Sequence, residues 1–177
     1  FSGRRHLIRA RIARPEEVAA RRNLAFNPYD RHGDTGIYPH ARANVETRGE
    51  AVFAAYNAID GIYENGSHGE WPYQSWGINR DPNAALTLDF GREVLLDELR
   101  ITERADFPHD NYWVKATVEF SDGSTLDIPL VKSAKPQSVT FEPKRVHSLV
   151  LKDLIQAEGT SPFPALTQIE AFGTEVK

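Results

Sequence analysis

The 177-residue sequence points to an all-β domain, an antiparallel sandwich or barrel. Three features carry that reading. After Ala84, apolar residues recur at every second position through most of the chain, the period of a half-buried strand. Asp122-Gly123 separates two such runs, and Asp-Gly is a dipeptide that closes a tight hairpin. No segment sustains the 3.6-residue period that the crossover helices of a parallel sheet require.

The elements are expected in the following order. His6–Ile12 alternates loosely and predicts a strand, and Pro15–Arg22 predicts a short helix, with proline at its first position and Glu16 and Glu17 in its first turn. From Asn23 to about His68 the chain is loop-rich, punctuated by Asn27-Pro28, Gly33-Asp34 and Tyr38-Pro39, with one or two helical turns within Glu50–Ile59. Then come seven strand-like runs. Leu86, Leu88 and Phe90 alternate with Thr87 and Asp89; Val114, Ala116, Val118 and Phe120 alternate with Lys115, Thr117 and Glu119; Leu126, Ile128 and Leu130 alternate with Asp127 and Pro129. Leu95–Ile101, Ser138–Phe141, Val146–Leu151 and Leu166–Phe172 complete the set.

Composition narrows the function. With 40% hydrophobic residues, 3 Trp, 6 Tyr and 9 Phe, the chain has material for a packed core. It has no cysteine, which excludes disulfides, thiolate zinc sites and a cysteine nucleophile. No apolar run approaches the roughly 20 residues of a membrane span. Residues 1–22 carry a net charge of +5, whereas residues 23–177 carry −9. An acidic body argues against nucleic acid as a ligand, because phosphate contacts need a cationic face. Residues 1–22 are read as a leader or connector ending a preceding module, and 23–177 as the β-sandwich binding module. A chain that opens on Phe1 is expected to be a processed or excised piece of a larger protein.

No phosphate-binding glycine loop, Gly-x-Ser-x-Gly elbow or His-Glu-x-x-His motif is present, and the six histidines lack metal-ligand spacing. No catalytic residue is assigned. Two loops stand out instead. Tyr63–Gly77 sets four large aromatics among three glycines and a proline, and Arg104–Trp113 combines ring faces with Arg, His and Asn. A sugar site needs that pairing, a flat ring for the apolar C–H face and polar side chains for the hydroxyl rim. Trp76, next to a predicted strand, is expected in the core, whereas Trp113, abutting Val114, is left open between core and ligand contact. Trp71 or Tyr73 is the expected stacking ring, with Arg104, His109 and Asn111 as hydroxyl partners and His68 or Glu70 closing the rim.

Asn23-Leu24-Ala25, Asn57-Ala58-Ile59-Asp60-Gly61, Ala85–Gly91, Ser138–Pro143 and Leu166–Gly173, in that order and spacing, resemble the discoidin (coagulation factor V/VIII C-type) family and its galactose-binding-like carbohydrate-binding modules. The resemblance spans Asn23 to Gly173. It implies an eight-stranded jelly-roll sandwich that binds ligands through loops at one end, here including Glu158–Pro164 with Phe163. It also implies a structural calcium. Asp60 matches the family's aspartate and Asn57 a carbonyl donor, while the usual glutamate falls on Gln168 and the usual threonine on Asn65. The functional expectation is a non-catalytic, glycan-binding module of a secreted or cell-surface bacterial protein, partnered by the parent's other domains. The alternative is a structural or protein-contact domain that kept the fold without the sugar site.

Overall fold

A computed structural model describes residues 7, 9–33, 36–64, 72–105, 107, 110–159 and 161–176. It is an antiparallel β-sandwich of eight strands among the described residues: β1 (Arg22–Asn23), β2 (His40–Ala43), β3 (Trp76–Gly77), β4 (Leu86–Glu103), β5 (Trp113–Phe120), β6 (Thr125–Pro129), β7 (Gln137–Gln156) and β8 (Ala165–Glu175). Four expected runs merge in pairs: Leu86–Phe90 with Leu95–Ile101 into β4, and Ser138–Phe141 with Val146–Leu151 into β7. The three short strands β1, β2 and β3 have too few residues to show a period.

The merging builds the sandwich. In one layer, β2 pairs with the start of β4, which pairs with the later half of β7, followed by β5 and β6. In the other, the early half of β7 pairs with the later half of β4, then with β8, which carries β1 and β3. The two long strands thus belong to both layers and turn the corner through a register break between Asp89 and Val94. Gly91 makes that corner possible. Its φ is 68°, and a Cβ there would lie 2.2 Å from Cγ of Tyr38, so only glycine fits.

Alternation is converted into burial as expected: Leu86, Leu88, Phe90, Val94, Leu96, Leu99 and Ile101 all point inward. Trp76 and Trp113 are both fully buried, one from each layer, with ring centroids 6.3 Å apart. The β5 phase differs at its start. A bulge between Trp113 and Lys115 turns the tryptophan inward and leaves Val114 exposed. Asp122-Gly123 closes the β5–β6 hairpin, with the Gly123 N–H donating to the Phe120 carbonyl at 2.9 Å.

Two expectations change and a third takes a particular form. The helix, α1 (Pro15–Ala19), stops short of Arg22, because Arg22 enters β1 opposite Gly173 and Arg21 reaches Asp97 at 2.8 Å and Glu98 at 2.6 Å. The one or two helical turns expected within Glu50–Ile59 form as 3-10 turns at Ala51–Phe53 and Ala55–Ile59, after a further turn at Thr47–Gly49 in which Arg48 is left-handed at φ 53°. In the expected N-terminal strand, Leu7 and Ile12 are exposed and residues 9–12 join no sheet, while His6 and Ile8 lie outside the described residues. No helix among the described residues is long and apolar enough to cross a membrane.

Candidate functional site

A cavity of about 320 Å³ opens at the end of the sandwich where four connections meet. The turns after β2 supply Thr47, Arg48 and Phe53; the exit from β3 supplies Ile78, Asn79 and Arg80; the β4–β5 loop supplies Arg104 and Asp110; the approach to β8 supplies Ser161, Phe163 and Pro164. Gly77 forms part of the wall because space is short there. A Cβ on it would lie 2.6 Å from Oγ1 of Thr47, whose hydroxyl accepts the Asn79 N–H at 3.0 Å.

Aromatic faces and guanidinium groups alternate around this cavity. The Arg80 guanidinium lies 4.4 Å from the Phe163 ring centre, Arg48 lies 5.3 Å from Phe53, and Arg104 lies 6.0 Å from Tyr73. Phe53 and Tyr73 meet edge to face at 6.4 Å. Arg48 is also held by Glu50 through two hydrogen bonds of 2.6 and 2.9 Å. Phe163 remains 52% exposed, a ring of the loop end that solvent reaches.

Of the eight residues expected to bind sugar, Arg104 and Phe163 line the cavity and Tyr73 packs behind it against Phe53 and Arg104. Asn111 has a different job from the expected one. It is 5% exposed, and its amide donates to the carbonyls of Ala157 at 3.1 Å and Ser161 at 2.7 Å while accepting the Tyr112 N–H at 2.9 Å. Both amide hydrogens are used within the protein, so Asn111 fastens the β7–β8 loop to β5 and so sets the position of Phe163. His68, Glu70, Trp71 and His109 lie outside the described residues. Sequence reasoning missed Arg48, Phe53, Asn79 and Arg80, which come from unremarkable turns. The one available signal was Asn79 before Arg80-Asp81-Pro82, since asparagine tolerates the left-handed conformation it adopts here at φ 50°.

The expected calcium ligands do come together, but in a different chemistry. Nε2 of Gln168 donates to the Asn57 carbonyl at 2.8 Å, to Oδ1 of Asp60 at 2.8 Å and to the Thr167 carbonyl at 2.7 Å, and lies 3.4 Å from the Ile62 carbonyl. Its Oε1 accepts the Gly61 N–H at 2.9 Å. Reversing the amide would set its oxygen against those acceptors, so the network fixes the orientation. Calcium asks for about six to eight oxygen ligands, several of them charged. Among the described residues Asp60 is the one carboxylate here, and the electropositive end of an amide stands among the oxygens; Asn65 lies outside the described residues. No group of three His, Asp or Glu able to hold a metal occurs among the described residues. With Gln168 in place of the expected glutamate, these residues offer calcium one charged ligand fewer than the resemblance implies. Burial pushes the Asp60 carboxyl above its usual range, while the N–H donors of Ile62, Gln74 and Gln168 oppose that rise. Because Asp60 takes hydrogen bonds from Ile62 at 2.8 Å and Gln74 at 3.3 Å, it ties together both ends of the loop that carries Tyr73.

Fold and site together describe a loop-ended β-sandwich with a solvent-open aromatic and polar cavity. Solved structures share that architecture. The family 32 carbohydrate-binding module of Clostridium perfringens NanJ, solved with galactose, is 18% identical with a TM-score of 0.55, over 75% of this chain and 91% of that one. The lectin domain of lectinolysin, solved with the Lewis b antigen, is 17% identical with a TM-score of 0.62, over 86% and 97%. A Streptococcus pneumoniae fucose-binding module is 16% identical with a TM-score of 0.60, over 87% and 99%. The chain therefore has the discoidin-like fold of these modules. No family model and no curated protein sequence matches it.

Proposed function

We propose that this chain is a non-catalytic carbohydrate-binding module of a secreted or surface protein, and that it holds its glycan in the cavity at the loop end. The observation that carries the reading is Phe163: a half-exposed ring beside a concave site lined by the side chains of Asn79, Arg104 and Asp110. An exposed ring covers the apolar C–H face of a pyranose, and amide, guanidinium and carboxylate groups satisfy vicinal hydroxyls in defined directions. Solved modules of the same fold carry galactose and the Lewis b antigen, which supports a sugar over other small ligands. A shallow site of this kind binds weakly, with dissociation constants from high micromolar to millimolar, about −4 to −6 kcal/mol. Linkage to other modules of a parent protein would supply avidity.

Glycan contact in this proposal is made by the cavity's own side chains, and Gln168 supports the loop base through its hydrogen bonds. Titration of a glycan panel against the protein and Phe163→Ala tests the proposal. Binding that the substitution abolishes, with melting unchanged, supports it; a protein that binds no glycan leaves a protein-contact domain as the better account.

A further inference from the structure

We infer that the glycan this cavity takes carries an anionic group, a carboxylate or a sulfate, and that Arg80 receives it. The inference rests on the carbohydrate-binding proposal above and names the class of sugar. Among the described residues, three guanidinium side chains, Arg48, Arg80 and Arg104, line the cavity with Asp110, and Glu50 pairs with Arg48, which leaves an excess of one positive charge. That balance is reversed in the chain around it, since residues 23–177 carry a net −9. A local cationic lining inside an acidic body is a concentrated field at one site, and a concave, partly desolvated wall strengthens it.

The arginines differ in what they are already doing. Arg48 is held by Glu50, and Arg21, Arg22, Arg92 and Arg100 are likewise held by carboxylates of the sandwich. Among the described residues, no carboxylate pairs with Arg80 and no hydrogen bond ties its guanidinium. What positions it is the Phe163 ring, 4.4 Å away. A guanidinium stacked on a ring keeps its in-plane fork of N–H donors for a planar or tetrahedral oxyanion, which it grips with two parallel bonds.

Left-handed turn residues build this wall. Four non-glycine residues among those described have positive φ, and three of them line the cavity: Arg48 at 53°, Asn79 at 50° and Arg80 at 63°. Non-glycine residues adopt this conformation less readily than the right-handed one. Two consecutive ones, Asn79 and Arg80, form a tight turn closed by the Asp81 N–H on the Ile78 carbonyl at 2.9 Å, and the Arg80 side chain leaves it to meet Phe163.

The test uses isothermal titration with methyl glycosides of galactose, galacturonic acid and galactose 6-sulfate, and the matching gluco series, at about 20 and 300 mM salt. Wild-type protein is expected to bind at least one anionic sugar about tenfold more tightly than its neutral parent at low salt. High salt should shrink that ratio, since charge pairing near a surface is screened. The uronate and sulfate arms show which anion it is. Arg80→Gln removes the charge and should bring the ratio to near one, whereas Arg80→Lys should retain part of it. Neutral and anionic sugars binding equally, or an Arg80→Gln ratio equal to wild type, overturns this inference and leaves the carbohydrate-binding reading standing. No binding of any sugar overturns both.

Discussion

Gln168 is the residue whose replacement separates the amide clasp from a calcium site most sharply. It is 2% exposed and joins β8 to the segment from Asn57 to Ile62. Gln168→Ala removes the two hydrogens shared among Asn57, Asp60 and Thr167, and the oxygen that accepts the Gly61 N–H. Three net hydrogen bonds at about 1 kcal/mol each, together with a half-buried carboxylate deprived of a donor, amount to about 3–5 kcal/mol. For a domain of this size, 1 kcal/mol moves the melting temperature by about 2–4 °C, so a fall of about 10 °C is expected. Gln168→Glu is the more telling change. It places a second carboxylate against Asp60 and the carbonyls, which repels in the absence of metal and completes a hard-cation ligand set in its presence. Differential scanning fluorimetry in chelator and in millimolar calcium reads both effects. Wild-type melting should be the same in the two buffers, and Gln168→Glu should melt low in chelator and recover in calcium through linkage of binding to folding. A wild-type protein that loses several degrees in chelator and regains them with calcium refutes the clasp.

Further outcomes follow from burial and charge. Trp76→Ala should destabilise the domain by about 3–5 kcal/mol, read by chemical denaturation, because it empties the ring-filled contact with Trp113 and strands the Val45 carbonyl that Nε1 bonds at 3.0 Å. Burial raises the Glu103 carboxyl to about 7, against the N–H donors of Trp113 and Gln137 that favour its charged form. Since the folded value lies above the unfolded one, that contribution to stability is full below about pH 4.5, declines as pH rises and is gone above about pH 7. Glu103→Gln should abolish this decline in a melting series from pH 4 to 8. Asn111→Ala should weaken glycan binding by freeing the β7–β8 loop that carries Phe163; Asn111→Asp, which keeps the acceptor for the Tyr112 N–H but loses both donors, should weaken it too.

The sandwich was legible because strand burial is written into alternate residues. Leu86, Leu88 and Phe90 needed no tertiary information to be assigned inward, and the Asp122-Gly123 hairpin declares itself in two residues. What alternation does not encode is continuity across a corner. Phe90 and Val94 belong to one strand because Gly91 takes a left-handed turn beneath Tyr38, a contact between distant segments. The start of β5 departs from its alternation for a similar reason, since a bulge rather than a repeat decides that Trp113 points in and Val114 out. At the site, Arg104 and Phe163 were legible as polar and aromatic residues in loops. Asn111 was legible as polar, but its internal bonding was not, since its partners Ala157 and Ser161 are backbone carbonyls that any sequence offers. The turn residues Arg48, Asn79 and Arg80 acquire meaning from their shared cavity and their φ angles, neither of which has a one-dimensional signature. Gln168 stood out as a departure from the resembled family, but only its hydrogen bonds reveal that the departure has its own chemistry.

The central claim is that the loop-end cavity holds a sugar against Phe163. The most direct measurement is titration of wild type and Phe163→Ala with the tightest glycan found on a broad array, alongside their melting curves. Because the ring is 52% exposed, the substitution should leave the melting temperature within about 2 °C while binding weakens at least tenfold. Undiminished glycan binding by a folded Phe163→Ala protein would contradict the account.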